Sequence, residues 1–474
     1  MTDVTGPVRA TAEQRRRIRG WMMFDWASQP FYTLCLTFIF GPYFTGVLAD
    51  ALIGELGEQA ADARAQSIWS WTQTGIGVSI ALTAPLLGAL ADRSGRRMPW
   101  IVTFSVLYVV GIAGLWFMAP DASGFWLAVG GFAFAMIGAE YTTIFTNAML
   151  PDLAPREELG RIGGTGYALG YAGGVTALFL MLGLFADNEN GRTLLGAAPA
   201  LGLEGEAREG TRFVGPFSAL WYVIFMVPFF LWVKDPPGSG GRATIAEAWA
   251  DLKAMLASIP GRTSLMAYLA GSMLYRDALV ALYAFGGVYA RLVLDWETTQ
   301  IGVFGIVGAI TAAVSAWIGG RLDGAFGPKP VITGAVLVLT TVVILLCGMT
   351  PEALFGIPLS DRAPLSGAAA FIFGAEMGGA DVIFYVLGAV IGGMGGVLQS
   401  ASRTMMVRHS DPARSTEAFG LYALSGKATA FLAPMSIGIA TWATGSARLG
   451  IFPIAVLFLL GLFLLRWVDP EGDC

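Results

Sequence analysis

The sequence predicts an all-α membrane protein of twelve transmembrane helices in two pseudo-symmetric six-helix halves. Three observations predict it. Of 474 residues, 55% are hydrophobic and only 13% charged, against roughly 45–50% and 25% in soluble domains. Apolar runs of membrane-spanning length recur twelve times. A short turn built on glycine and aspartate also returns, in altered form, 231 residues further on.

An apolar run of about 20 residues crosses a roughly 30 Å hydrocarbon layer. Such runs cover Trp21–Leu48, Ser67–Ala91, Pro99–Ala119, Gly124–Leu150, Ile162–Phe185 and Pro216–Val233, then Ser264–Ala290, Thr299–Leu322, Val331–Met349, Val382–Met406, Ala418–Thr441 and Leu449–Trp467. The first follows Arg15-Arg16-Arg17 and Arg19 but is far longer than the roughly 7–15 residues of a signal-peptide core, so it reads as a retained span. The expected division is a tail at 1–20, a first half at 21–233, a linker at 234–263, a second half at 264–467 and a tail at 468–474. In the linker, Ile245, Trp249, Leu252, Leu256 and Ile259 recur at helical spacing. That pattern makes an amphipathic helix, lying on the membrane surface or packed on the bundle.

Lys and Arg collect on the cytoplasmic side of membrane proteins. With the N-terminus cytoplasmic, that side holds 20 of the 29 basic residues and the outer loops hold seven. An even span number then puts both termini in the cytoplasm, and the bacterial inner membrane is the expected location. The 63 glycines suit close helix crossings, including Gly166, Gly170 and Gly174 in the fifth run and Gly388, Gly392 and Gly396 in the tenth.

Several function classes are excluded. With 34 acidic and 29 basic residues and no basic face, nucleic acid is not an expected partner. Cys35, Cys347 and Cys474 fit neither a disulfide framework nor a metal site, and His409 is the sole histidine, so proton chemistry falls to carboxylates. No Gly-x-x-x-x-Gly-Lys-Ser/Thr loop occurs, and no nucleophile stands beside a base. An ATP-driven pump, an enzyme and a cofactor are therefore not expected.

The most informative stretch is Gly88-Ala89-Leu90-Ala91-Asp92-Arg93-Ser94-Gly95-Arg96-Arg97, between the second and third runs. Gly95 allows the short turn, Asp92 can meet the positive end of a neighbouring helix, and Arg93, Arg96 and Arg97 can pair with acids or lipid phosphates. Its copy, Gly319-Gly320-Arg321-Leu322-Asp323-Gly324-Ala325-Phe326-Gly327, keeps the Gly-to-Asp spacing with one extra residue before the later glycine. Together these residues, Asp323 included, are the expected cytoplasmic gate of two parallel repeats.

The first turn resembles the loop between helices two and three of the major facilitator superfamily. Further stretches resemble its vacuole-effluxer-like branch, related to autophagy-associated vacuolar amino-acid exporters. They are Phe24-Asp25-Trp26-Ala27, Asn147-Ala148-Met149-Leu150-Pro151-Asp152, Gly166-Tyr167-Ala168-Leu169-Gly170-Tyr171-Ala172-Gly173-Gly174 and Phe419-Gly420-Leu421-Tyr422-Ala423-Leu424-Ser425-Gly426-Lys427. The resemblance implies a secondary transporter whose halves rock about a central site.

An ion at the bilayer centre costs at least roughly 2.5–3.5 kcal/mol and marks a partner or a wet cavity. Glu140, Arg276, Asp277 and Lys427 fall near mid-span, and Asp25 lies just inside the first run. Asp25 shares a helix face with Gln29 and Tyr32, and Glu140 with Thr143 and Asn147. Gln399 is a further lining candidate, while Arg403, one turn on, is expected at an interface or gate. The first half supplies deep acids and the second half deep bases, so a zwitterion could bridge them. Alternatively, Glu140 or Asp25 pairs permanently with Lys427 or Arg276. The expected partners are a small-molecule substrate such as an amino acid, coupling protons on Glu140 or Asp25, and membrane lipids, with the chain a monomer. Export of amphiphiles or drugs, or a non-transporting receptor on the same fold, is the rival reading.

Overall fold

The computed structural model describes residues 11–188, 191–235, 244–294, 296, 298–360 and 377–472. The first ten residues, most of the hydrophilic start of the linker, residues 361–376 of the long outer segment and Cys474 lie outside them. Among the described residues, twelve helical segments are long and apolar enough to cross a membrane. They are span 1 (Ala12–Leu56), span 2 (Ala60–Ser94), span 3 (Met98–Phe117), span 4 (Phe125–Asp152), span 5 (Arg156–Leu184) and span 6 (Glu209–Trp232). The second set comprises span 7 (Thr263–Arg291), span 8 (Gln300–Phe326), span 9 (Pro328–Gly348), span 10 (Gly379–His409), span 11 (Pro412–Thr444) and span 12 (Arg448–Trp467). The protein is an all-α multispanning membrane protein.

Spans 1 and 11 are interrupted in their interior, each beside a proline. Pro30 has no N–H to offer the carbonyl of Trp26 one turn back, and that carbonyl accepts from the Trp221 indole at 3.2 Å instead. A π-helical stretch, Phe31–Phe38, follows before regular helix resumes at Phe40. In span 11 the helix Ser415–Ala428 stops and a second helix, Leu432–Thr444, begins. Pro434 would drive its ring into the carbonyl of Ala430 in a continuous helix, so the break falls at 429–431.

Span 1 is longer than its hydropathy suggests. The Thr11 hydroxyl accepts from the Gln14 N–H and starts the helix well before the apolar run. Gln14 also donates to the Leu153 carbonyl at the end of span 4. At the other end of the described chain, Glu471 pairs with Arg408 at 2.8 Å. Both ends therefore lie on the face that carries the two glycine turns, the turn face.

The turns close span 2 and span 8 each on a glycine with positive φ, Gly95 at φ 62°, ψ 14° and Gly327 at φ 80°, ψ 162°. The Gly95 N–H donates to the Asp92 carbonyl, three residues back, and the Gly327 N–H to the Asp323 carbonyl, four back. The extra residue of the second copy is thus absorbed in one wider turn.

The two six-helix halves meet where span 2 packs on span 11 and span 5 on span 8. Near the turn face these crossings are backbone-close. A Cβ on Gly88 would lie 2.6 Å from the Thr416 carbonyl oxygen, and one on Gly164 would lie 2.5 Å from the Gly320 Cα. Only glycine admits such approach.

The linker helix Ile245–Ser258 starts with a capping box, Thr244 and Glu247. The Thr244 hydroxyl holds the Glu247 carboxyl below its usual range. Ala248, Leu252 and Met255 are buried, whereas Ile245, Trp249 and Leu256 are exposed. The buried face packs on the bundle, and part of the apolar stripe stays exposed. Asp251 and Glu247 both reach Arg93, at 2.6 and 3.5 Å.

Candidate functional site

Three polar clusters join the halves, two near the turn face and one near the middle of the bundle. The first is centred on Arg97, which is 8% exposed. Its guanidinium donates to Asp152 at 2.8 Å, Asp92 at 3.3 Å, the Ser415 hydroxyl at 2.7 Å and the Thr416 hydroxyl at 2.9 Å. Asp92 in turn accepts from the backbone N–H groups of Thr416 at 3.2 Å and Glu417 at 2.8 Å. These are orphan donors of the first turn of span 11, so the carboxylate meets the positive end of that helix. Asp235 holds the start of span 3, accepting from the N–H groups of Arg97 and Met98 at 3.0 Å each.

The turn residues divide their contacts. Arg93 reaches the linker helix, Arg96 is exposed, and Gly95 makes the turn. Arg414, on the second half, donates to the Asp251 carbonyl at 3.0 Å, so the linker helix touches both halves. Asp323 is 1% exposed. Unlike Asp92, it lies against Gly160, where an added Cβ would be 2.5 Å from its carboxyl carbon.

The second cluster surrounds Arg403 of span 10, which is 3% exposed. It donates to Asp25 at 3.1 Å, Asn147 at 3.1 Å and the Gly163 carbonyl at 2.9 Å, residues of spans 1, 4 and 5. Its guanidinium also lies over Tyr167 at 4.0 Å and Trp21 at 5.0 Å. A planar, delocalised cation suits this mixture of carboxylate, carbonyl and aromatic partners. Asp25 and Asn147, read from the sequence as cavity-lining, are thus tied to an arginine of the opposite half.

The third cluster sits deeper. Lys427 reaches Glu140 at 3.4 Å across the halves, with side chains 30% and 19% exposed. Arg276 of span 7 lies over the Tyr422 ring of span 11 at 4.0 Å and donates to the Tyr422 carbonyl at 3.2 Å. Its guanidinium carbon would be 2.9 Å from a Cβ on Gly426, the neighbour of Lys427. Among the described residues no carboxylate pairs with Arg276. Gln399 donates to the Tyr171 hydroxyl at 3.0 Å, another contact between the halves. Gln29 packs on Gly174. Asp277, 5% exposed, accepts from the Ala433 N–H at 3.0 Å.

Glu140 and Lys427 are therefore brought together, Arg276 is seated on Tyr422 and Gly426 of span 11, Asp25 and Asn147 form a separate clamp with Arg403, and Asp277 stands at the break in span 11. Sequence reasoning did not identify Asp152, Ser415, Thr416, Glu417 or Asp251 as partners of the turn. Asp152 closes one of the resembling stretches, but nothing local marks the start of span 11 as the docking site.

This is the fold of the major facilitator superfamily. The family described as "Vacuole effluxer Atg22 like" matches residues 13–472, and the chain belongs to it. An MFS-type transporter of Bacillus subtilis (strain 168), YxiO, is 20% identical over 461 residues, covering 95% of this chain and 94% of that protein. Autophagy-related protein 22-2 of Aspergillus fumigatus is 27% identical over 332 residues, covering 66% of this chain. The match spans 49% of that fungal protein, about half its length. Among solved structures, the human organic anion transporter MFSD10 superposes with a TM-score of 0.65 at 16% identity, covering 96% of this chain and all of that one. The proton:xylose symporter XylE does so at 0.63 and 12% identity, over 97% of both chains. The protein is a transporter of this superfamily.

Proposed function

We propose that this protein moves a small zwitterionic metabolite, such as an amino acid, across a bacterial inner membrane by proton-coupled alternating access. The observation that carries the reading is the mid-span pair of Glu140 and Lys427 where the halves meet, with Arg276 of span 7 seated against Gly426, the residue next to Lys427. Lys427 already has a carboxylate partner. Arg276 has only an aromatic face and a carbonyl, so its bidentate edge is the one that suits a substrate carboxylate. A substrate amine then competes with Lys427 for Glu140.

The turn face is taken as cytoplasmic, since the basic residues of the turns lie there, as do Gln14 and Glu471 near the ends of the described residues. With the Arg97 and Arg403 clusters closed, the arrangement is one in which the cytoplasmic path is shut. Substrate exchange on that side requires both clusters to part, and the broken span 11 and glycine crossings are elements able to accommodate it. The deep charges favour this reading over export of amphiphiles or drugs, which a purely apolar lining would serve better.

The test is calorimetry on purified protein with an amino acid and its neutral amide derivative. Arg276→Gln should weaken the amino acid at least about tenfold more than the derivative lacking a carboxylate, the worth of one charge-assisted bond. Equal losses for both ligands contradict the proposed placement.

A further inference from the structure

We infer that Asp277 carries the coupling proton, and that its charge state sets the hinge at the break in span 11. The inference rests on the proton-coupled transport proposed above and names the group that performs it. Three deep carboxylates could serve. Asp25 is held by Arg403 and Glu140 by Lys427, so neutralising either carboxylate breaks an ion pair between the halves.

Asp277 differs. Among the described residues its hydrogen-bond partner is the Ala433 N–H, and no cation pairs with it. The charged and titratable groups around it are engaged elsewhere. Arg276, the preceding residue on span 7, turns to Tyr422, and Tyr275 bonds the Ser402 hydroxyl at 2.9 Å. On span 11 Lys427 faces Glu140, and on span 10 Arg403 faces Asp25. Span 12 over Phe452–Leu464 carries no ionisable side chain. A carboxylate 5% exposed with a single backbone donor is one that can take a proton without breaking an ion pair.

The location makes that proton consequential. Ala433 is the second residue of the helix Leu432–Thr444, and Pro434 after it has no N–H, so the carboxylate caps the start of the outer half-helix. Among the described residues the break also leaves the Thr429 hydroxyl, 9% exposed, without a partner. A hydronium on one side gives its proton to the carboxylate, forming the neutral acid, and water on the other side later removes it. In the neutral state the cap weakens, because a charged acceptor holds an N–H more strongly than a neutral one. Lys427 sits at the end of the preceding half-helix, so movement at the break reaches the Glu140–Lys427 pair directly.

Hydrogen exchange by mass spectrometry on the full chain in lipid nanodiscs tests this without a substrate. After correction for intrinsic rates, wild-type peptides from 429–444 should lose about tenfold protection between high and low pH as the charged cap is lost. Asp277→Asn keeps a neutral acceptor, so its protection should be low and independent of pH, with span 12 peptides as the folded control. A pH dependence that persists in Asp277→Asn, or its absence from wild type, overturns the inference. Proteoliposomes offered a panel of radiolabelled amino acids give the second readout. Gradient-driven accumulation that survives Asp277→Asn overturns the inference alone, and its loss supports it. Wild-type uptake indifferent to a pH gradient overturns the proton-coupled reading, and the coupling role with it.

Discussion

Replacing Arg403 by alanine should release the cytoplasmic side in the proposed cycle. The side chain belongs to span 10, whereas Asp25, Asn147 and Gly163 belong to the first half, so these bonds must break whenever the halves part there. In the closed arrangement, the deletion leaves the Asp25 carboxylate, its side chain 14% exposed, without its cation. Breaking a buried pair from one side costs about 3–5 kcal/mol. Opening hydrates Asp25, so the loss falls on the closed state, not on folding. Taking the low end because Asp25 is not fully buried, the population ratio shifts about a hundredfold toward the open side. Ser400, on the same span and 1% exposed, faces Gly163 across the interface and is close in shape to cysteine. With Cys35, Cys347 and Cys474 replaced, Ser400→Cys should react with a maleimide slowly alone and far faster when combined with Arg403→Ala. Unchanged labelling in a folded double variant refutes the reasoning.

Further outcomes follow from the same contacts. Asp92→Asn removes the charge that faces Arg97 and the start of span 11, and should raise Ser400→Cys labelling about tenfold with no loss of thermal stability beyond a few degrees. Gly164→Val cannot close span 5 on Gly320, so it should label rapidly at that cysteine and transport poorly. Arg93→Ala breaks pairs that are about 40% exposed and screened by solvent, so the melting temperature should be almost unchanged. Lys427→Ala removes the competitor for Glu140, so it should tighten an amino acid and its amide derivative alike, since both carry the amine, which calorimetry would read.

Much of the fold was legible because the bilayer imposes one requirement, a run of apolar residues about 20 long, and the sequence meets it twelve times. The turn copies were legible because Gly88 to Asp92 and Gly319 to Asp323 keep one spacing. The start of span 1 at Ala12 was not, since polar helix outside the hydrocarbon has no hydropathy signal. Pro434 did carry a signal for the break in span 11, but hydropathy alone passes over it. Partnerships between halves were the least legible. Arg403 reads as a gate residue, yet its bond to Asp25 joins positions 378 residues apart, and nothing local in either stretch encodes it. In the linker helix the apolar spacing was legible, but which apolar residues meet the bundle, Ala248, Leu252 and Met255, depends on tertiary packing.

The central claim is that a small zwitterion exchanges across the membrane through this chain, and counterflow in proteoliposomes tests it most directly. Vesicles loaded with an unlabelled amino acid should draw in the labelled compound transiently and saturably, across a panel that includes amines and sugars as comparison. Counterflow of an amino acid, abolished by Arg276→Gln, is the result predicted. Uptake of an amphiphile or a sugar but of no amino acid, by folded wild-type protein, would contradict the account.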